Sequence, residues 1–245
     1  FLELVKKTQA NPDSEKSLDE IYKDVRGLVI KKDRDVIITE RQSPLTGEEF
    51  EDATLNIDFT KIPYEDYWNL LHELYEHLTD YEIYAIRIFT GNLCPYNCIF
   101  CSSTNFLDFA AGVEKGKIRP FFVSPEKTIE LIKNALAAHP KTKTIIFDDD
   151  NFMLDKERVV NFCRLVIEEK KNGGLAEDLT FICQGRIDLA ERFYDLDTLK
   201  LMKNTGFRMI KYGIESFSQK ILDYFNKQIK TPSIMNVLDL TIKAG

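Results

Sequence analysis

Cys94, Cys98 and Cys101 lie within one short stretch, Cys94-Pro95-Tyr96-Asn97-Cys98-Ile99-Phe100-Cys101. Thiolates are the protein ligands of iron–sulfur clusters. Three of them on one loop can hold three irons of a four-iron cubane and leave the fourth iron open. An open metal position is where a substrate or cofactor binds. Zinc is the alternative. It would need a fourth ligand from elsewhere, and none of His72, His77 and His139, the chain's histidines, is close in sequence. Structural zinc sites usually pair C-x2-C units, so C-x3-C-x2-C favours the cluster. The other two cysteines read as packing: Cys163 falls on the apolar stripe of a helix and Cys183 ends a strand. Five cysteines, three of them clustered, make a poor disulfide framework and point to a reducing compartment, the cytoplasm.

The elements around this loop have a clear rhythm from residue 81 onward. Strands are expected over 84–89, 144–147, 179–183 and 208–214. Helices lie between them. One is opened by Ser124 as N-cap and Pro125 at the first helical position. A second is opened by Asp155 and striped by Val159, Phe162, Cys163 and Val166. A short one over 197–203 is closed by Gly206. Two more are expected over 219–225 and 233–243. Strand–helix alternation of this kind predicts an α/β fold, a partial (β/α) barrel with a parallel sheet. Chemistry in such folds sits at the C-terminal ends of the strands. Each expected strand is followed there by a polar cluster: the cysteine loop, Asp148-Asp149-Asp150, Gln184-Gly185-Arg186, and Glu215-Ser216. Alternation places Asp148 and Asp150 on one side and Asp149 on the other, and leaves open which side faces the barrel mouth.

Residues 1–80 read as a small α+β linker region preceding the barrel of 81–245. Residues 1–7 look like the last turns of a helix. Gly27-Leu28-Val29-Ile30 and Asp35-Val36-Ile37-Ile38-Thr39 flank the polar tip Lys31-Lys32-Asp33-Arg34, a hairpin signal. Residues 44–58 are turn-rich and acidic, an expected exposed connection. A helix is expected over 64–78, with Tyr67, Leu70, Leu71, Leu74 and Leu78 as its stripe and Tyr64, Tyr67 and Trp68 as packing residues.

The 245 residues are 44% hydrophobic and 30% charged, which excludes collagen-like, disordered and low-complexity chains. Lys+Arg 33 against Asp+Glu 40 gives −7, so a broad electrostatic grip on nucleic acid is not expected. No apolar run approaches the ~20 residues of a membrane helix, and no signal peptide is visible. The chain opens at Phe1 and stops at Ala244-Gly245, and it reads as a piece of something longer, truncated after its fourth βα unit.

The cysteine loop resembles the signature of the radical S-adenosylmethionine (SAM) superfamily, C-x3-C-x-Φ-C, with Phe100 as the aromatic. The words Thr90-Gly91-Asn92-Leu93-Cys94, Phe147-Asp148-Asp149-Asp150-Asn151-Phe152 and Gly213-Ile214-Glu215-Ser216 are most similar to the cobalamin-binding branch. Gly27-Leu28-Val29 and Ile62-Pro63 are similar to the linker that follows the cobalamin domain there. The resemblance spans about residues 20–245. It implies a [4Fe-4S] cluster held by Cys94, Cys98 and Cys101, with SAM on the open iron. Reductive cleavage of SAM would then yield a 5′-deoxyadenosyl radical. It further implies that Phe100 packs near the adenine and that Asp149 or Asp150 contacts the SAM ammonium. Arg186 is implied to pair the SAM carboxylate or to help a substrate, and Glu215 and Ser216 to bind the ribose. Phe217 stands where the family has glycine, and a side chain there disfavours a left-handed backbone. The resemblance also implies an electron donor such as flavodoxin or ferredoxin, a small-molecule or peptide substrate, and cobalamin in the full-length protein. Methyl transfer to an unactivated carbon or a radical rearrangement is the expected outcome. The alternatives are a methylthiotransferase, an oxidative cyclase, or a non-enzymatic iron–sulfur or zinc domain.

Overall fold

The computed structural model describes residues 2–11, 18–32, 34–41, 43, 45–103 and 119–245. Phe1, the hairpin-tip residue Asp33 and Pro44, each part of an expectation above, lie outside them. The chain divides into two compact units, one within Phe1–Pro44 and the other built from Leu45–Ser103 and Arg119–Gly245. Among the described residues no helix is long and apolar enough to cross a membrane.

The first unit holds helices α1 (Leu2–Ala10) and α2 (Leu18–Tyr22) and the expected hairpin, β1 (Val29–Lys32) antiparallel to β2 (Asp35–Ile38). Gly27 enters the hairpin at φ 75°, a conformation that favours glycine. Its N–H donates to the Glu40 carbonyl at 2.7 Å.

The second unit is built on a four-stranded parallel sheet in the order β3 (Ala85–Ile88), β4 (Thr144–Phe147), β5 (Thr180–Gly185), β6 (Phe207–Tyr212). Strand order follows chain order without reversal, as in a barrel, so all four C-terminal ends open on the same edge. Helices α3 (Gly47–Leu55), α4 (Tyr64–Leu74) and α5 (Asp80–Ile83) precede β3. The crossovers carry α6 (Pro125–Ala138), α7 (Lys156–Lys171), then α8 (Ile187–Phe193) with α9 (Leu196–Thr205). Helices α10 (Gln219–Tyr224) and α11 (Thr231–Ala244) follow β6. The central strand β4 is buried along its whole length, as covering by helices on a parallel sheet requires. Phe147 stacks on Phe152 at 4.2 Å between ring centroids and meets Phe162 edge-on at 5.3 Å. Phe181 and Phe207 extend this aromatic core under the sheet.

Three expectations for the region before β3 need correction. Residues 44–58 are not a bare connection, because α3 occupies most of them. Thr46 caps its N-terminus, and Glu49 completes a reciprocal capping box by accepting from the Thr46 N–H at 2.8 Å. Helix α4 ends at Leu74, not Leu78. Its expected stripe is also rotated from the buried face: Leu71 and Leu78 pack against the core, but Tyr67, Leu70 and Leu74 are exposed, while Trp68 is fully buried. The indole explains the rotation, since it packs against Tyr84 and His139 and donates from Nε1 to the Ala85 carbonyl at 3.3 Å. Helix α8 was not expected at all. It starts directly after β5 and has no side-chain N-cap.

The caps read from sequence are present. Ser124 and Asp155 accept from Lys127 N and Arg158 N at 3.3 and 3.0 Å, and Gly206 ends α9 at φ 116°. At the other end of α9, Asp195 accepts from both the amide and the hydroxyl of Thr198, and the hydroxyl bond above all holds its carboxyl below the usual value. Asp195→Ala is expected to destabilise the fold by about 1 kcal/mol. With a depressed folded pKa, this contribution is complete above the ordinary carboxylate value and is lost as pH falls through the lower folded one. Melting temperatures of both proteins from pH 7 down to pH 3 should converge at the acid end.

Candidate functional site

The cysteine loop leaves the C-terminal end of β3. Its first residues pair with the segment that returns to α6: Gly91 bridges Phe122 antiparallel, and the Val123 N–H donates to the Thr90 carbonyl at 2.8 Å. Gly91 is required by this close approach, because a Cβ there would lie 2.8 Å from the Phe122 ring. Farther on, Cys94 and Cys101 are half-buried and Cys98 is buried. Burial pushes the Cys94 thiol up, against the Tyr96 N–H and the Arg186 charge. Among the described residues no three His, Cys, Asp or Glu side chains converge to hold an ion, so the three thiols share a loop rather than a finished coordination shell. Their chemistry nonetheless suits a thiolate-ligated cluster: three sulfurs on one loop, with the buried cation Arg186 against Cys98 to offset negative charge.

Residues from beyond β6 clasp this loop. The Ile99 N–H donates to the Phe225 carbonyl at 3.0 Å, and Asn226 Nδ2 donates to the Asn97 carbonyl at 2.9 Å. The Phe100 ring meets Phe225 edge-on at 5.1 Å, and Lys227 Nζ lies 5.4 Å from the centre of the Phe100 ring. Asn226 holds its position at φ 52°, in the left-handed region that asparagine tolerates.

Arg186 is 5% exposed and follows β5 directly. Its Nε donates to Asp188 at 2.9 Å, its Nη2 to the Lys227 carbonyl at 2.6 Å and its Nη1 to Cys98 Sγ at 3.6 Å. The guanidinium carbon lies 3.5 Å from the centre of the Tyr96 ring. Burial works against its charge, but Asp188 and Cys98 outweigh that and hold the guanidinium above its ordinary value. The ion pair with Asp188 is buried on the arginine side.

The three acids after β4 part company. Nη1 of Arg87 donates to both oxygens of Asp148, at 2.9 and 2.8 Å. Asp149 is 1% exposed. It accepts from the Thr90 N–H, the Thr90 hydroxyl and the Gly91 N–H. Arg158 Nη2 lies 3.8 Å from it. Burial pushes the Asp149 carboxyl up, against Arg158 and the Thr90 donors. Asp150 is exposed and accepts from the hydroxyl of Ser103, at the end of the cysteine loop. Asp149 thus ties β4 to the root of the loop, and Asp150 is the acid left at its far end.

After β6, Glu215 stands at φ 65° and pairs with the buried Lys227 at 3.0 Å. The left-handed position is Glu215 itself. Phe217 carries no positive φ and is exposed. Ser216 Oγ accepts from the Ser218 N–H at 3.0 Å within this turn. Cys98, Arg186, Phe100, Lys227 and Glu215 form one connected chain of contacts. Cys163 and Cys183 are fully buried in the core. Tyr96, Thr90, Arg158, Asn226 and Lys227 escaped sequence reasoning. Thr90 and Tyr96 lie within the stretches quoted above but carried no role there, and Arg158, Asn226 and Lys227 lie outside them.

A loop of three cysteines at the C-terminal mouth of a one-directional parallel β/α sheet defines a barrel built around a thiolate-held cofactor. Residues 88–245 match the radical SAM superfamily, and the chain belongs to it. The superfamily consists of enzymes that use a [4Fe-4S] cluster and SAM. An uncharacterized methyltransferase of Pyrococcus horikoshii is 29% identical over 158 residues, 64% of this chain and 30% of that protein. The anaerobic magnesium-protoporphyrin IX monomethyl ester cyclase of Cereibacter sphaeroides is 26% identical over 152 residues, 60% of this chain and 22% of that one. The chain thus spans less than a third of the length of these relatives. Among solved structures, the cobalamin-dependent SAM radical enzyme OxsB with aqua-cobalamin and SAM bound matches 98% of this chain and 30% of its own, with a TM-score of 0.62 at 16% identity. The radical SAM methyltransferase TsrM of Kitasatospora setae matches 69% of this chain with a TM-score of 0.51, also at 16% identity. At these identities the likeness concerns the fold.

Proposed function

We propose that the full-length protein is a cobalamin-dependent radical SAM enzyme that transfers a methyl group or rearranges its substrate. The observation that carries this reading is the cysteine loop at the mouth of the parallel sheet, clasped by Arg186 after β5 and by Phe225, Asn226 and Lys227 after α10. Methyl transfer is supported by the names of the Pyrococcus horikoshii relative and of the bacteriochlorophyllide d C-8(2)-methyltransferase of Chlorobaculum tepidum, 25% identical over 143 residues. When bound, the cluster supplies the electron that breaks the sulfonium bond of SAM.

Cys94, Cys98 and Cys101 hold that cluster in this reading. Asp150 offers a carboxylate to the SAM ammonium, a charge-assisted bond. Asp149 already has its oxygens occupied by Thr90 and Gly91, and its part is architectural. Glu215 and Ser216 face the ribose once Lys227 shares Glu215, and Phe100 packs beside the adenine. Residues 1–80 link the barrel of 81–245 to a cobalamin-binding domain. Reductant comes from a flavodoxin or ferredoxin in the cytoplasm, and the substrate is a small molecule or peptide.

Anaerobic reconstitution of the full-length protein tests this. A reduced four-iron EPR signal that changes on adding SAM is expected, together with stoichiometric binding of hydroxocobalamin in visible absorption. Asp150→Ala should weaken SAM binding about tenfold with the cluster intact, the size of one lost charge-assisted bond. Zinc without iron would overturn the reading, and an iron–sulfur protein that ignores hydroxocobalamin would remove cobalamin from it.

A further inference from the structure

Each guanidinium nitrogen of Arg186 makes a hydrogen bond inside the protein, three of its five N–H donors in all. Nε, Nη1 and Nη2 each have a partner, on Asp188, Cys98 and Lys227, and the flat face rests on Tyr96. Such a guanidinium is poorly placed to leave for a SAM carboxylate. It is well placed for something else. Its Nη1 is aimed at the sulfur of Cys98, both groups are buried, and three further contacts from separate parts of the chain fix the direction. Asp188 holds it from the second residue of α8. The Lys227 carbonyl holds it from the clasp beyond β6. Tyr96 holds it from within the cysteine loop itself.

We propose that Arg186 is a positioning residue that sets the reduction potential of the cluster through an N–H···S bond to Cys98. The inference rests on the reading of Cys98 as a cluster ligand. Hydrogen bonds to ligand sulfurs, local charge and solvent exposure are the protein's levers on iron–sulfur potentials. Reduction adds one electron, delivered by an external one-electron donor of the flavodoxin or ferredoxin class. The added negative charge lies within reach of a buried positive charge, so Arg186 favours the reduced form. No proton moves at Arg186, because a guanidinium stays charged.

The test is an EPR-monitored potentiometric titration of the reconstituted full-length protein without SAM, with iron content and melting temperature measured in parallel. Arg186→Gln, which removes the charge and shortens the donor, should lower the midpoint by about 59 mV, a tenfold shift in the one-electron equilibrium. Arg186→Lys, which keeps a charge but not the planar fork, should lower it by less. Asp188→Asn, which leaves the guanidinium and strips its counter-charge, should raise it. A merely structural role would lower melting temperature and iron content without moving midpoints in opposite directions. Unmoved midpoints in cluster-loaded variants, or shifts of one sign for Arg186→Lys and Asp188→Asn, would overturn the inference. If Arg186→Gln holds no iron, the other two variants decide it alone. A parent protein that holds no iron–sulfur cluster would instead overturn the cluster reading, and this inference with it.

Discussion

Alanine at Cys94, Cys98 or Cys101, one at a time, is expected to reduce bound iron from about four per chain to near zero after anaerobic reconstitution. A site with three thiolates has no spare ligand. The half-buried positions of Cys94 and Cys101 leave the loop open to an incoming cofactor, whereas Cys98 is locked under Arg186. Cys163 is the control. It is fully buried on α7 in the packed core, and burial pushes its thiol up to about 11. Cys163→Ala should keep its full complement of iron and lose about 1 kcal/mol of stability, the order of one buried methylene-sized group. Iron and sulfide analysis of the four variants settles the ligand set. Equal loss from Cys163→Ala would show that the set is wrong.

Asp149→Ala is expected to be the most damaging single change among the acids after β4, and through stability rather than through SAM. Its carboxylate serves the Thr90 and Gly91 amides and the Thr90 hydroxyl and faces Arg158. Arg158 is itself 7% exposed, held between the rings of Phe122 and Phe152 at 4.8 and 4.9 Å. Removing the acid takes the nearest counter-charge from a buried cation, leaving it only Asp155, and leaves two amides without acceptors. A loss of about 3–5 kcal/mol follows, a large share of the roughly 5–15 kcal/mol that holds a domain together. Urea unfolding of the variant measures it. Adding Arg158→Met to Asp149→Ala should return part of the loss, because the stranded charge is then gone. A single variant within 0.5 kcal/mol of the parent would show that the carboxylate is dispensable.

Most of the scaffold was legible because its signals are local. Ser124-Pro125, Asp155 and Gly206 mark helix ends through their own backbone preferences, and the apolar strands 144–147 and 179–183 are buried runs in a parallel sheet. The capping box of Thr46 and Glu49 is a local signal too, masked by the acidic residues around it, which suggest an exposed connection. The rotation of α4 was not legible. Tyr67, Leu70 and Leu74 have helical spacing, but the large indole of Trp68 buries more apolar area than any of them, and what it packs against, Tyr84 and His139, comes from later segments. At the site the strand tips announced which residues gather, but not what each does there. Asp149 turned out to be bound to Thr90, and Arg186 to Cys98, through contacts that join distant stretches of chain. No local preference encodes such pairs. The same holds for Lys227, an ordinary lysine in sequence that is buried between Phe100 and Glu215.

The clasp on the cysteine loop also fixes an order of events during synthesis. Asn226 and Asn97 are 129 residues apart, and Arg186 and Cys98 are 88 apart. The thiols leave the ribosome well before the residues that hold their loop, and at about 5–20 residues per second the delay from Cys101 to Lys227 is on the order of 10 s. Through that interval the three neighbouring thiols lack the contacts from Phe225, Asn226 and Lys227 that close their loop, and free thiols of that kind are open to oxidants. Closing so long a span gains nothing until the fourth strand is in place to reward it. Maturation is therefore late by construction: the loop takes its working shape only when β6 and the helix after it have folded against it.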